Sequence, residues 1–79
     1  MKHFSQAICI KQGIFNDVEF KIGDIYAITG NNNASQLAYS DKNGDTKIMM
    51  LFDYTDNTMC EWTVDSEDNN YPQFTRLEN

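Results

Sequence analysis

Short runs that alternate between apolar and polar residues recur along the chain, most clearly over residues 4–11, 18–22 and 25–29. An alternation of period two is typical of a β-strand with one buried face. Helical spacing of apolar residues is not sustained over any window of about eleven residues without a turn residue. The pattern therefore predicts an all-β fold, a single small barrel or curled sheet of five or six antiparallel strands.

The strongest local signal is the dipeptide Asn43-Gly44, which lies between two strand-like runs. Asn-Gly favours a two-residue type I′ turn, because both central residues of that turn have positive φ. A two-residue loop fixes which residues lie opposite each other in the hairpin: Lys42 and Asp45, Tyr39 and Ile48, Leu37 and Met50. One pair of opposite charges and two apolar pairs support this register.

The last third of the chain predicts two further strands. Residues 55–58 are typical of a turn, and the run that follows places Cys60, Trp62 and Val64 on one face. We therefore expect Trp62 to be buried, whereas Tyr54 and Tyr71 lie next to turns and are expected to be exposed. At most one short helical turn is expected, near Pro72, before a last strand through residue 77.

The segment VEFKIGDI, residues 18–25, resembles the diverging turn of Src-homology-3-like small barrels. Val18, Phe20, Gly23, Asp24 and Ile25 match its pattern of hydrophobic–x–Phe–x–x–Gly–Asp–apolar. The resemblance implies a barrel whose middle hairpin is the Asn-Gly hairpin and whose short helical turn lies in YPQF, residues 71–74. Similar patterns also look like those of small bacteriophage-encoded proteins.

Peptide-binding members of that family carry two features that this chain lacks. Their Tyr-rich segment precedes the diverging turn, whereas the nearest string here, LFDY at residues 51–54, follows it. Their Trp-Trp pair has no counterpart, since the chain has one Trp. The resemblance therefore implies the scaffold and not a groove for proline-rich peptides.

A chain of 79 residues makes one small domain, residues 1–79. A core of this size leaves little stability for strained catalytic geometry or a deep pocket. No apolar stretch approaches the ~18 residues of a membrane span, and residues 1–12 lack the apolar core and cleavage site of an export signal. We expect a soluble protein of the cytoplasm, which is the host cytoplasm if the protein is phage-encoded.

The net charge of −6 lies entirely in the last third of the chain. Residues 1–52 contain five acidic and five basic residues, whereas residues 53–79 contain seven acidic residues and one basic residue, Arg76. This distribution repels phosphate backbones, so direct nucleic-acid binding is not expected, and it attracts a basic protein surface. The alternative is that the acidic loops only keep a small domain soluble.

Residues that could do chemistry are few and isolated. His3 has no visible orienting carboxylate, and the glycines do not form a phosphate-binding loop. Cys9 and Cys60 are expected to be reduced thiols, with a single disulfide or a metal pair as alternatives. Asp65, Glu67 and Asp68 are not followed by the glycine and glutamate of an EF-hand. We therefore expect no enzymatic activity, no metal and no cofactor.

What remains is protein binding. The candidate partner-binding residues are six acidic residues and two tyrosines: Asp53, Tyr54, Asp56, Glu61, Asp65, Glu67, Asp68 and Tyr71. A small acidic domain without catalytic residues is typical of phage-type inhibitors, whether counter-defence, anti-CRISPR or DNA-mimic in style, and of toxin-neutralising immunity proteins. The alternatives are a self-assembling structural or adaptor module, such as a homodimer, and a small-ligand or nucleotide-binding barrel.

Overall fold

The chain forms a closed antiparallel β-barrel with a separate hairpin. The computed structural model describes residues 6–31, 34–53, 62–64 and 70–77. Within these ranges there are eight strands and no helix: β1 (Gln6–Lys11), β2 (Gly13–Phe15), β3 (Val18–Phe20), β4 (Ile25–Asn31), β5 (Ala34–Ser40), β6 (Thr46–Asp53), β7 (Trp62–Thr63) and β8 (Gln73–Arg76). Six of them form the barrel in the order β1-β4-β5-β6-β7-β8, and β2 pairs with β3. The prediction of an all-β small barrel is confirmed.

The barrel closes between its first and last strands. β1 pairs antiparallel with β4 on one side and with β8 on the other, so that Ala7 lies opposite both Tyr26 and Arg76. Just beyond β8, the backbone N–H of Leu77 donates a hydrogen bond to the carbonyl oxygen of Gln6, at 3.0 Å. Each of the six described barrel strands therefore has a partner on both sides, which removes the exposed edges of an open sheet.

Alternating residues of the barrel strands point inward and fill the interior. The buried apolar side chains are Ala7, Cys9, Phe20, Ile28, Leu37, Tyr39, Met49, Leu51, Trp62, Val64 and Phe74. The predicted burial of Trp62 is confirmed, and Val64 is buried with it. Cys60, the third member of that predicted face, lies outside the described residues.

The β2–β3 hairpin attaches to the barrel through the ring of Phe20, which is fully buried. The Phe20 ring centroid lies 5.3 Å from that of Tyr26, 5.3 Å from that of Tyr39 and 6.0 Å from that of Phe74. These tilted and edge-to-face arrangements are the favourable geometries for aromatic pairs. The hairpin thus contributes to the same core as β4, β5 and β8.

The sequence pattern does not predict β2, because the alternating run ends at Lys11 and Gly13 interrupts it. The strand is three residues long and pairs with β3 across the dipeptide Asn16-Asp17. Both residues have positive φ, 53° and 62°, as a type I′ turn requires. Asn and Asp tolerate that conformation better than other residues with a Cβ. The two-residue turn therefore lies here and not at Asn43-Gly44.

The β5–β6 hairpin differs from its predicted register by one residue. Asp41 accepts a backbone hydrogen bond from Gly44, at 3.0 Å, and donates one to Asp45, at 2.9 Å. Gly44 has a φ of 83°. The loop is therefore a type I turn followed by a glycine bulge, with three residues between the paired positions. The predicted pairs are wrong: Tyr39 lies opposite Lys47, Leu37 opposite Met49, and Lys42 has no partner across the loop.

The side chain of Asp41 explains the longer loop. Its Oδ1 accepts hydrogen bonds from the backbone N–H groups of Asn43 and Asp45, both at 2.9 Å. A carboxylate that bonds the backbone two residues on stabilises this turn locally. A slip of one residue moves every side chain of a strand to the opposite face. Met49 and Leu51 are consequently buried, whereas Ile48 and Met50 point outward.

The described residues 70–77 contain no helical turn at Pro72. Pro72 is fully buried, and β8 begins at the next residue, Gln73. The segment before it is held against β2, where the Ile14 N–H donates a 2.6 Å hydrogen bond to the carbonyl oxygen of Asn70. A residue that precedes proline is also disfavoured in helical conformation. This contact and the proline together exclude a helical turn at that place.

Gly13→Ala is expected to reduce the free energy of unfolding by about 1–3 kcal/mol. Gly13 is buried, and an added Cβ would overlap the backbone of Tyr71 and Pro72, which cannot move aside as a side chain can. Urea unfolding followed by Trp62 fluorescence measures the change. Thr29→Ala, at an exposed strand position, serves as control and should change stability by less than about 0.5 kcal/mol. Equal stability of both variants would contradict the close approach.

Asp41→Ala is expected to reduce the free energy of unfolding by about 1–2 kcal/mol, because two backbone donors lose their acceptor. Asp41→Asn keeps an acceptor oxygen at the same place and should lose less. Thermal and urea unfolding of the two variants give the comparison. An Asn variant that is as destabilised as the Ala variant would show that the side-chain oxygen does not hold the turn.

Candidate interaction surface

Most of the predicted partner-binding residues lie outside the described part of the chain. These are Tyr54, Asp56, Glu61, Asp65, Glu67 and Asp68. Asp53 is the last residue of β6 and lies opposite Trp62 in β7. Tyr71 comes two residues before β8. The structure thus places Asp53 and Tyr71 on the barrel, and partner binding by the set stays a prediction.

Tyr71 is half-buried, although its position next to a turn predicted exposure. Its ring packs against the core cluster, and the Lys11 ammonium lies over the ring at 4.0 Å from the centroid. A cation over an aromatic face is attracted by the ring quadrupole. Tyr71 is therefore held in a defined position with part of its surface still accessible, which suits an anchor residue more than a free side chain would.

A second surface is the outer face of three neighbouring strands, β4, β5 and β6. Where inward residues alternate with outward ones, the outward side chains form a continuous face: Ile25, Ala27, Thr29, Gln36, Ala38, Ser40, Thr46, Ile48, Met50 and Phe52. We name these ten residues the β4–β6 wall. None of them carries an ionisable group, although charged residues make up 23% of the chain.

The strand registers keep the wall continuous. Gln36 lies opposite Thr29 on one side and Met50 on the other, and Ala38 lies opposite Ile48. Along β6 the wall carries three large apolar side chains, Ile48, Met50 and Phe52, which are 55%, 45% and 45% exposed. A contiguous exposed apolar row on a small protein is typical of an interaction site, whereas single exposed apolar residues are ordinary.

Charged residues of the described barrel strands lie near strand ends: Lys11, Lys47, Asp53 and Arg76. Other described charges belong to turns and to the β2–β3 hairpin. There Lys21 lies 3.7 Å from Glu19, and Lys42 lies 3.9 Å from Asp17. Such exposed ion pairs contribute little to stability. None of these described charged residues belongs to the β4–β6 wall.

The buried thiol of Cys9 donates a hydrogen bond to the Lys11 carbonyl oxygen, at 3.1 Å. Burial raises the pKa of Cys9, and the carboxylate of Asp24 raises it further. A thiol must lose its proton to act as a nucleophile or a metal ligand. Cys9 is therefore in its unreactive form at neutral pH. The described residues contain no group of three or more His, Cys, Asp or Glu side chains placed to hold a metal ion.

No protein-family model, curated protein or solved structure matches the chain. No helix capable of crossing a membrane occurs in the described ranges. What the structure establishes is the architecture, a small closed all-β barrel. The chemistry of its surface therefore carries any argument about function.

The predicted register could not indicate the β4–β6 wall, because it places Ile48 and Met50 opposite Tyr39 and Leu37, which are buried. The sequence did contain a signal for the correct turn. Type I turns favour Asp at the first position and Gly at the fourth, as in Asp41-Lys42-Asn43-Gly44. A type I turn over these four residues has the observed register, whereas a two-residue Asn-Gly turn does not.

Tyr26 is expected to ionise about two pH units above an ordinary tyrosine. Burial raises the pKa of Tyr26 to about 12, and Asp24, whose Oδ2 lies 3.5 Å from the phenol oxygen, adds to the shift. Because the folded-state pKa is the higher one, this proton stabilises the fold below pH 10 and that contribution is lost as the pH rises from about 10 to about 12. Absorbance titration near 295 nm of wild type and Tyr26→Phe measures the shift. If the titration that is lost in Tyr26→Phe has its midpoint at pH 10, the expected shift is contradicted.

Proposed function

We propose that this chain is a non-enzymatic acidic binding protein that blocks a basic surface of a bacterial protein. Its mode of action would be that of a phage-type inhibitor, in the style of counter-defence, anti-CRISPR or DNA-mimic proteins, acting in the host cytoplasm. The observation that supports this proposal most is the separation of charge. The β4–β6 wall is uncharged, and the net charge of −6 belongs to residues 53–79.

The acidic residues of this segment have few basic neighbours in the sequence. Six of the seven lie between residues 53 and 68, and Arg76 is the single basic residue of the last third. Residues 1–52, by contrast, contain five acidic and five basic residues, so their charges balance. A partner with a basic surface would supply the missing counter-charge. Carboxylates in such an arrangement imitate phosphates and accelerate association by electrostatic steering.

Barrel strands flank this segment in the chain. β6 ends at Asp53, and β7 (Trp62–Thr63) and β8 (Gln73–Arg76) follow it. We propose that the barrel is Src-homology-3-like and that Tyr71, held by Lys11, is one aromatic anchor of the contact. Aromatic anchors beside charged groups are typical of the residues that dominate binding energy. A toxin-neutralising immunity protein would likewise bind a basic surface through carboxylates and aromatic anchors.

Charge reversal tests the proposal. The tagged protein is incubated with bacterial lysate at low and high salt, next to Glu67→Lys/Asp68→Lys and a control of equal charge change, Glu19→Lys/Asp45→Lys. We expect a basic partner, identified by mass spectrometry, whose retention falls about tenfold or more in the first variant and at high salt, and little in the control.

Two results would contradict the proposal. One is that both double variants lose the partner equally, because then only net charge matters. The other is that no basic protein is retained by the wild type at low salt. A partner that is retained equally by the wild type and by Glu67→Lys/Asp68→Lys would place the contact elsewhere on the molecule.

A further inference from the structure

The loop between β5 and β6 contains the single Asn-Gly dipeptide of the chain, Asn43-Gly44. Asparagine is a chemically labile residue, and glycine after it offers no side chain to hinder attack by the glycine backbone nitrogen on the asparagine side chain. Both residues are exposed. A Cβ at Gly44 would meet no atom beyond its chain neighbours within 4 Å, so the loop has room for the succinimide ring that such an attack forms.

The folded turn opposes this reaction. The backbone nitrogen of Gly44, which has to attack, donates a hydrogen bond to the carbonyl oxygen of Asp41 at 3.0 Å. The backbone N–H groups on either side of it, those of Asn43 and Asp45, both donate to Oδ1 of Asp41 at 2.9 Å. The Gly44 nitrogen must leave its acceptor before it can attack, so the hydrogen bonds to Asp41 oppose the reaction.

We propose that Asn43 is a deamidation site that reacts when the turn held by Asp41 opens. In the open turn the Gly44 nitrogen bonds to Cγ of Asn43 while the Cγ–Nδ2 bond breaks, and the proton from Gly44 leaves with the ammonia. Water then opens the succinimide at one of its two carbonyl carbons. Cleavage at Cγ leaves aspartate at position 43, and cleavage at the main-chain carbonyl leaves isoaspartate. Either product carries one more negative charge than asparagine.

The isoaspartate product changes the hairpin itself. It adds one carbon atom to the backbone between positions 43 and 44. The loop is closed by a hydrogen bond from the Asp41 N–H to the Asp45 carbonyl oxygen, at 2.9 Å, and the added atom lies inside that closed loop. The N–H groups of Gly44 and Asp45 are thereby displaced from their acceptors on Asp41. The modified chain is therefore expected to unfold at a lower urea concentration than the unmodified chain.

The opening that the reaction needs is local. Residues 42–48 are exposed, and the turn is held mainly by its own hydrogen bonds to Asp41. Such segments open at a much lower free energy than the whole domain. The rate of modification is then the rate in the open chain multiplied by the fraction of time for which the turn is open. Weakening the turn raises that fraction, whereas weakening the fold elsewhere leaves it unchanged. The reaction does not involve residues 53–79, so it is independent of the proposed contact with a basic partner.

Two destabilised variants distinguish local from global opening. Asp41→Ala removes the acceptor of two turn hydrogen bonds, and Gly13→Ala destabilises the fold at the contact with Pro72. Each variant and the wild type are incubated in warm, mildly alkaline buffer, both folded and unfolded in concentrated urea. Peptide mass spectrometry measures the modified fraction at position 43. The ratio of the unfolded to the folded rate gives the protection for each chain and cancels any effect of the substitution on the open chain.

We expect the folded wild type to react at least about tenfold more slowly than the unfolded chain. Protection should fall about fivefold or more in Asp41→Ala, because two hydrogen bonds are lost, and should stay within about twofold of the wild type in Gly13→Ala. Three results would each overturn the proposal: no modification at Asn43 in urea, a folded wild type that reacts as fast as the unfolded chain, or equal loss of protection in both variants.

The wild type alone provides a second measurement if Asp41→Ala loses its fold. Local opening exposes little surface, so the rate at Asn43 should hardly change with urea at concentrations below the unfolding transition. A rate that rises in proportion to the globally unfolded fraction would show that the reaction needs complete unfolding and would overturn the proposal.

Discussion

The packing of the Phe20 ring inside the barrel is the contact on which the rest of the structure depends. A small barrel must fill its interior with side chains, and β1 supplies only the small residues Ala7 and Cys9. A ring from outside the barrel sheet therefore joins Tyr39 and Phe74 in the interior. The same contact fixes the β2–β3 hairpin, and the hairpin in turn holds the backbone before Pro72 against Gly13.

Alternation along the sequence was sufficient to predict the longer strands and the all-β fold, because a period of two indicates a half-buried strand whatever its neighbours are. It also predicted the burial of Trp62. Pairing could not be predicted in the same way. The β5–β6 register depends on the loop, in which the Asp41 carboxylate accepts hydrogen bonds from the backbone N–H groups of Asn43 and Asp45. β2 was missed because three residues are too few to show a period, and because its tertiary contact with residues 70–72 leaves no local pattern.

The two candidate surfaces differ in how far sequence could reveal them. An uneven distribution of acidic residues is visible in any count along the chain, so residues 53–71 could be proposed before the fold was known. Outward and inward rows of a strand have the same periodicity, so the β4–β6 wall could be recognised only from exposure.

The hydrogen bond between Leu77 and Gln6 has a mechanical consequence. It places the outer ends of β1 and β8 side by side, at the same end of the barrel. A force that pulls these two ends apart acts perpendicular to the strands, so the β1–β8 hydrogen bonds break one after another. Each described barrel strand is paired on both sides, yet force at this end can separate β1 from β8. The same adjacency means that a short linker could join the two ends and new ends could be cut at an exposed turn, such as the one at Lys42 and Asn43, without changing the order of the strands.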